Sequence, residues 1–254
     1  MALATAESMR IVPADQRYHW RNEWLRSHQS FPATGNFDLA ANAHGLLMVH
    51  NEDVVDAGEG FDTHQHRDTE IVTWVLEGTV VHQDSEGHSG LIHPGLAQRM
   101  SAGTGILHSE RNGALRHERE DLHVVQMWIP PDEDGRRPGY QESDIRAELS
   151  HNELVTVASG IPRDRGDTAI TLGNRYAALH VARLDPGRSV RLPEASFGHL
   201  FVARGTVTVE GAENGAEATL SAGDALRTTA TGGQLVTAVV PGEVLIWEMH
   251  ASFA

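Results

Sequence analysis

The sequence predicts an all-β protein made of two related barrel-like halves, and three observations carry that expectation. Glycine is plentiful, at 25 residues, while aromatics make up only 6% of the 254-residue chain, a composition suited to short strands joined by tight turns. No segment keeps a helical period over three turns. The third observation is a repeat: Leu76-Glu-Gly-Thr-Val80 returns as Ala203-Arg-Gly-Thr-Val207. Each copy is followed by a polar hairpin and a glycine-centred turn, Ser101-Ala-Gly-Thr-Gly105 in the first half and Ser221-Ala-Gly-Asp224 in the second.

Composition narrows the function classes. The formal charge of −15 opposes direct binding to nucleic acid or to an anionic membrane. With no cysteine there are no disulfides and no thiolate clusters, which fits a reducing compartment. The first ten residues lack the apolar core of a signal peptide, and no apolar run approaches the length of a membrane span. The expectation is a soluble, cytoplasmic protein.

Taken in order, residues 8–30 read as a short opening strand and then a loop, with Tyr18, Trp20 and Trp24 packing on the barrel. Residues 31–43, rich in Pro, Thr, Gly, Asn and Asp, read as a loop near a barrel mouth. Residues 46–50 form a strand, Asn51-Glu-Asp53 turns it, and Val54-Val55 leads to the turn at Gly58-x-Gly60. The strand of His64 and His66 follows, then an apolar strand over 71–76 that turns at Glu77-Gly78. A hairpin spans 79–93 with its tip at Asp84-Ser-Glu-Gly87. A tight turn over 100–105 delivers the strand of His108 and Glu110. A charged loop, 111–121, precedes the alternating strand 122–129, which ends at Pro130-Pro131. Residues 131–146 are a compositional break and read as a linker between the halves. Ten further strands fill the second half, starting near residues 154, 169, 177, 190, 198, 206, 218, 225, 235 and 244.

Chemistry concentrates between Gly58 and Glu110. Side chains alternate along a strand, so His64 and His66 share one face, and His108 and Glu110 share another. A lone His-x-His is common on exposed strands; the second pair makes the difference. If the two strands face each other across a small barrel, three imidazoles and one carboxylate converge, which is a metal site. Such a donor set suits Fe, Mn, Ni, Cu or Zn, and the lack of thiolates argues against a closed structural zinc. Four ligands leave positions open for water, substrate or dioxygen. His82, His88 and His93 sit beside turn residues and read as surface or supporting groups. The second half offers no His-x-His before its Gly-Thr-Val, and Leu235-Val-Thr-Ala-Val stands where the first half has His108-x-Glu110. That half reads as metal-free and structural.

The run Gly58-x5-His64-x-His66-x3-Glu70-x7-Gly78, closed by a later strand histidine, resembles the cupin motif pair. More narrowly, Phe61-Asp-Thr-His64-Gln-His66-Arg-Asp-Thr-Glu70-Ile-Val-Thr-Trp-Val-Leu-Glu-Gly78 resembles the pirin family. So do Gln98-Arg-Met-Ser-Ala-Gly-Thr-Gly-Ile-Leu-His108-Ser-Glu110 and Gln126-Met-Trp128. The likeness is dense over residues 45–130 and departs at Gly95-Leu96, where a Gly-Asp pair is usual, and at residues 32–38. It implies a bicupin: two antiparallel β-barrels of jelly-roll type packed face to face, with residues 1–139 carrying the metal and residues 140–254 lacking ligands. It implies one divalent transition metal, iron before Mn, Co, Ni, Cu or Zn, held by His64, His66, His108 and Glu110. Glu70 stands where most cupins supply a carboxylate ligand and shares parity with the histidine pair; the pirin pattern assigns it a supporting or packing role instead. Two functions are implied. One is a dioxygenase that cleaves flavonols such as quercetin with O2, with Glu110 as the base for the 3-hydroxyl. The other is a metal- or redox-dependent regulator acting through a protein partner.

Overall fold

The structure, a computed structural model, describes residues 7–31 and 38–253. The readings placed on residues 1–6 and on most of the loop over 32–38 lie outside the described residues. The first half contains β1 (Ser8–Val12), β2 (Tyr18–Arg21), β3 (Leu25–Gln29), β4 (Val49–Val55), β5 (Gly60–His66) and β6 (Glu70–Glu77). It continues with β7 (Val80–Asp84), β8 (Ser89–Ile92), β9 (Leu96–Ser101), β10 (Ile106–Asn112) and β11 (Leu122–Ile129), and β12 (Gly139–Asp144) lies in the segment leading into the second half. The second half contains β13 (Val155–Ser159), β14 (Ile170–Thr171), β15 (Ala177–Leu184), β16 (Ser189–Arg191) and β17 (Ala195–Arg204). It closes with β18 (Thr206–Glu213), β19 (Ala216–Ser221), β20 (Ala225–Thr231), β21 (Leu235–Ala238) and β22 (Gly242–Met249). Among the described residues the α-helical structure is a single turn, α1 (Leu39–Asn42), capped by the Asp38 carboxylate accepting from Ala41 N–H.

Each half is a seven-stranded sheet backed by a four-stranded one. In the first half the orders are β12-β9-β6-β11-β4-β3-β2 and β5-β10-β7-β8; in the second they are β1-β20-β17-β22-β15-β13-β14 and β16-β21-β18-β19. The two halves match position by position, with β6 corresponding to β17 and β10 to β21. The repeated Gly-Thr-Val marks the same turn in both. Gly78 and Gly205 adopt φ of +78° and +76°, and a Cβ on Gly205 would stand 2.3 Å from the Pro241 carbonyl oxygen. Only glycine takes that conformation there without strain. The edge strands are exchanged: β1, from the chain's start, pairs with β20 of the second half, and β12, from the supposed linker, pairs with β9 of the first.

The large sheets face each other across the main core, which draws Trp74, Leu47 and Met127 from one half and Trp247, Phe201 and Leu245 from the other. Trp74 donates from Nε1 to Glu243 across this interface at 2.6 Å, and Arg183 donates to the same carboxylate. The fold is the face-to-face double barrel that the resemblance implied. Inside the second barrel the apolar filling is one continuous cluster, from Leu184 and Val190 to Ile246. Inside the first it is split. Val75, Leu122 and Val124 belong to one cluster, Ile71 and Ile106 belong to another, and Trp128 packs on the second. Alternation then puts Thr73 between Ile71 and Val75, and Gln126 between Val124 and Trp128. A polar layer crosses the barrel at that level.

Three local readings are corrected. Residues 18–29 form the hairpin β2–β3 and not a loop. Asn51-Glu-Asp53 does not turn the chain; β4 runs straight through it. Within the 131–146 linker lies β12.

Candidate metal centre and its cavity

The polar layer is set by register. In the small sheet β10 lies between β5 and β7, and His108 stands opposite His64. Between His108 and Glu110 the pairing slips, so that Asp62 and Thr63 of β5 oppose Ser109 alone. Both Asp62 and Thr63 are exposed, and the two-against-one count makes this a bulge. The slip resets parity, so Phe61 joins His64 and His66 in lining the same cavity although an odd number separates them.

Three imidazoles meet here. Ring centroids are 4.4 Å apart for His64 and His108, 4.8 Å for His64 and His66, and 4.9 Å for His66 and His108. Their ligating nitrogens all lie within 4.8 Å of one another. The Glu110 carboxylate falls in an overlapping group, within 4.8 Å of His108 and His82. Its oxygens accept from Gln126 Nε2 at 2.7 Å and from Thr73 Oγ1 at 3.4 Å. His64 Nδ1 is 2.8 Å from the Asp62 carbonyl oxygen, so it must be the protonated nitrogen, and Nε2 keeps its lone pair. His66 Nε2 and both nitrogens of His108 are buried without a hydrogen-bond partner. Burial, and then the neighbouring imidazoles, push His66 down to about 4 and His108 down to about 3. Imidazole nitrogens with free lone pairs, gathered within 4.8 Å of one another beside a carboxylate, are what a divalent transition metal needs; this donor set fits one.

Glu70 is elsewhere. Its side chain is buried and accepts from Gly173 N–H at 2.9 Å, tying β6 to the second half. It belongs to neither ligand group.

Beside the imidazoles opens a cavity of 890 Å³. Its apolar wall is aromatic, with Tyr18, Trp20, Trp24, Phe61 and Trp128, and its polar wall includes His64, His66, Glu110 and Gln126. Trp128 meets His66 edge to face at 4.8 Å, and Trp24 meets Phe61 at 5.4 Å. Asp53 also faces this space, its carboxyl pushed up to about 6 by burial and by the carboxylates of Glu110 and Glu52.

A family model described as Pirin matches residues 12–129. A Mycobacterium tuberculosis protein provisionally named quercetin 2,3-dioxygenase is 52% identical over 244 residues, 96% of each chain.

The chain belongs to the pirin family.

An Escherichia coli O157:H7 protein named quercetin 2,3-dioxygenase is 37% identical to this pirin, covering 84% of the chain and 87% of its own. The crystal structure of the bacterial pirin YhhW from Escherichia coli in complex with nickel(II) superposes with a TM-score of 0.80 at 31% identity, covering 96% and 100%. No helix among the described residues of this pirin is long and apolar enough to cross a membrane.

Sequence reading of this pirin missed the cavity's second wall. Tyr18, Trp20 and Trp24 were expected to pack on the barrel, yet they line the space beside the histidines. Asn51 and Asp53 were hidden in a supposed turn; their parity with Val55 was the signal that could have found them. His82, expected at the surface or in support, is fully buried and lies beside His108, with ring centroids 5.4 Å apart.

Proposed function

We propose that this pirin is a metal-dependent dioxygenase that opens the heterocycle of a flavonol such as quercetin with O2, its metal held by His64, His66, His108 and Glu110. One observation carries the reading: a cavity of 890 Å³ with an aromatic wall opens onto the imidazole cluster. A planar aromatic substrate fits such a wall, and its oxygens would meet the polar one. The names of the relatives support the same chemistry.

A bound divalent metal, iron first and Mn, Co, Ni, Cu or Zn as alternatives, would supply Lewis acidity to the flavonol 3-oxygen and a meeting point with O2. The protein does the rest. Glu110 takes the proton of the 3-hydroxyl, and Gln126, donating to Glu110 at 2.7 Å, holds that carboxylate in place. Trp128 donates from Nε1 to Gln126 Oε1 at 3.0 Å, which fixes the amide's orientation. Trp20, Trp24, Phe61 and Trp128 hold the rings and exclude water from them. In the overall reaction two ring C–C bonds break, both atoms of O2 enter the carboxylic ester product, and the carbon carrying the 3-oxygen leaves with it as carbon monoxide.

The test is reconstitution with Fe, Mn, Co, Ni and Cu separately. Loaded protein should bleach the flavonol absorbance only in air, with O2 uptake matching carbon monoxide release. His108→Ala should abolish turnover, whereas His93→Ala should leave most of it. If no loaded form outpaces the free metal at equal concentration, the reading fails and a regulator acting through a protein partner replaces it.

A further inference from the structure

We infer a second, inner metal position, formed by His82, His108 and Glu110, that competes with the outer one at His64 and His66. The inference rests on the reading that this cluster binds a metal. Its basis is the register of the small sheet. β10 contributes His108 and Glu110 and is flanked on both sides by ligand-bearing strands. Towards β5, His108 faces His64; towards β7, His108 faces Asp84 and Glu110 faces His82. The middle strand can therefore close a donor set with either neighbour.

The inner set is complete in its own right. Ligating atoms of His82, His108 and Glu110 all lie within 4.8 Å of one another, and all three residues are buried. His82 Nε2 lies 3.5 Å from Asp84 Oδ2. The carboxylate can only accept, so Nε2 carries the proton and Nδ1 is left with a lone pair. His82 Nδ1 is buried and has no partner in the protein. Asp84 is itself fixed, accepting from the backbone N–H of Glu86 and of His88. Tyr140 of β12 covers the outer side, its ring 5.1 Å from His82 and stacked on His88. This repeats for His82 what the Asp62 carbonyl does for His64: a protein acceptor holds one nitrogen and frees the other for a metal.

The two positions exclude each other. A neutral imidazole has a single lone pair, so His108 serves one ion at a time. Both of its nitrogens are unpartnered, and either position is open to it. The consequence is functional. His64, His66 and Glu110 line the cavity, whereas of the inner set only Glu110 does. An ion in the inner position gives up both cavity-lining imidazoles for two that do not line it, so the inner site is a resting place from which the outer one is filled.

The test uses full-length protein loaded with Ni(II), desalted and analysed for metal, with the visible spectrum of Co(II)-loaded protein as a second readout. Wild type should hold a single ion. The double variant His64→Ala/His66→Ala should keep most of its metal, with a changed Co(II) spectrum. Adding His82→Gln to the double variant should lower the metal to background. His82→Gln alone should keep its ion, which also shows that the substitution folds. A double variant that empties while wild type fills would leave only the outer position and overturn the inference. So would a triple variant that still fills, or an empty His82→Gln. An empty wild type would overturn the metal reading itself.

Discussion

His64 donates its Nδ1–H to a carbonyl two residues back, and this small constraint decides which nitrogen is offered to the cavity. The same economy governs the rest of the cluster, where the alternation of β10 sets His108 and Glu110 on one face without any further device. That much was legible in the sequence, because same-face pairs survive any error in strand boundaries. The neighbouring wall was not legible. Leu25, Ser27 and Gln29 of β3, and Asn51 and Asp53 of β4, are inward residues with a strict period of two. They read as loop and turn because a cavity lets inward positions be polar. The rim is where this can be measured. Trp20 is 43% exposed and touches the cavity from outside the core, so Trp20→Ala should fold normally. Loss of one aromatic contact should raise KM for flavonol by roughly three- to tenfold, with kcat and metal content unchanged. A fall in kcat at constant KM would mean that Trp20 is not part of the substrate's wall.

At the scale of elements, the chain's two exchanged strands do what the repeat alone cannot. β1 adds to the outer edge of β20, and beyond it Ala14 N–H donates to Asp224 at 2.8 Å. β12 adds to β9 and brings Tyr140 over His82. The ten strands of the second half were foreseeable in order, since each is short, apolar and closed by turn residues. β12 was not: Tyr-Gln-Glu-Ser is polar and partly exposed, as suits an edge strand. Deleting the chain through Val12 should uncover β20, because its backbone then loses one side of its ladder. Hydrogen exchange should accelerate in β20 and leave β6 and β11 protected. Faster exchange confined to the first half's sheet would contradict the strand exchange.

For the whole molecule, the interface between the large sheets carries a cost that appears on acidification. His50 of β4 and His199 of β17 are both fully buried, with ring centroids 4.8 Å apart. Arg17, Arg227, His44 and Glu52 are the charged or titratable groups around them. Burial, and then Arg17, push His50 down to about 3; burial and Arg227 push His44 down to about 4; and burial drives His199 well below its ordinary value. An unfolded histidine titrates near 6.5, so below that pH the unfolded chain binds protons that the folded chain refuses. Stability should then fall by about 1.4 kcal/mol per pH unit for each such histidine. Asp53, pushed up to about 6, works the other way. Urea midpoints at pH 7.5 and 5 should differ accordingly, and His50→Phe should flatten the slope by about one proton. An unchanged slope would place the acid sensitivity elsewhere.

The account turns on His108, the residue common to both ligand groups and to the proposed chemistry. The most direct measurement is the metal content of wild type and His108→Ala, purified side by side, loaded with the same first-row metals and desalted. The account predicts a single ion per wild-type chain and background levels in the variant, at matching circular dichroism. A His108→Ala protein that keeps its full complement of metal would contradict it.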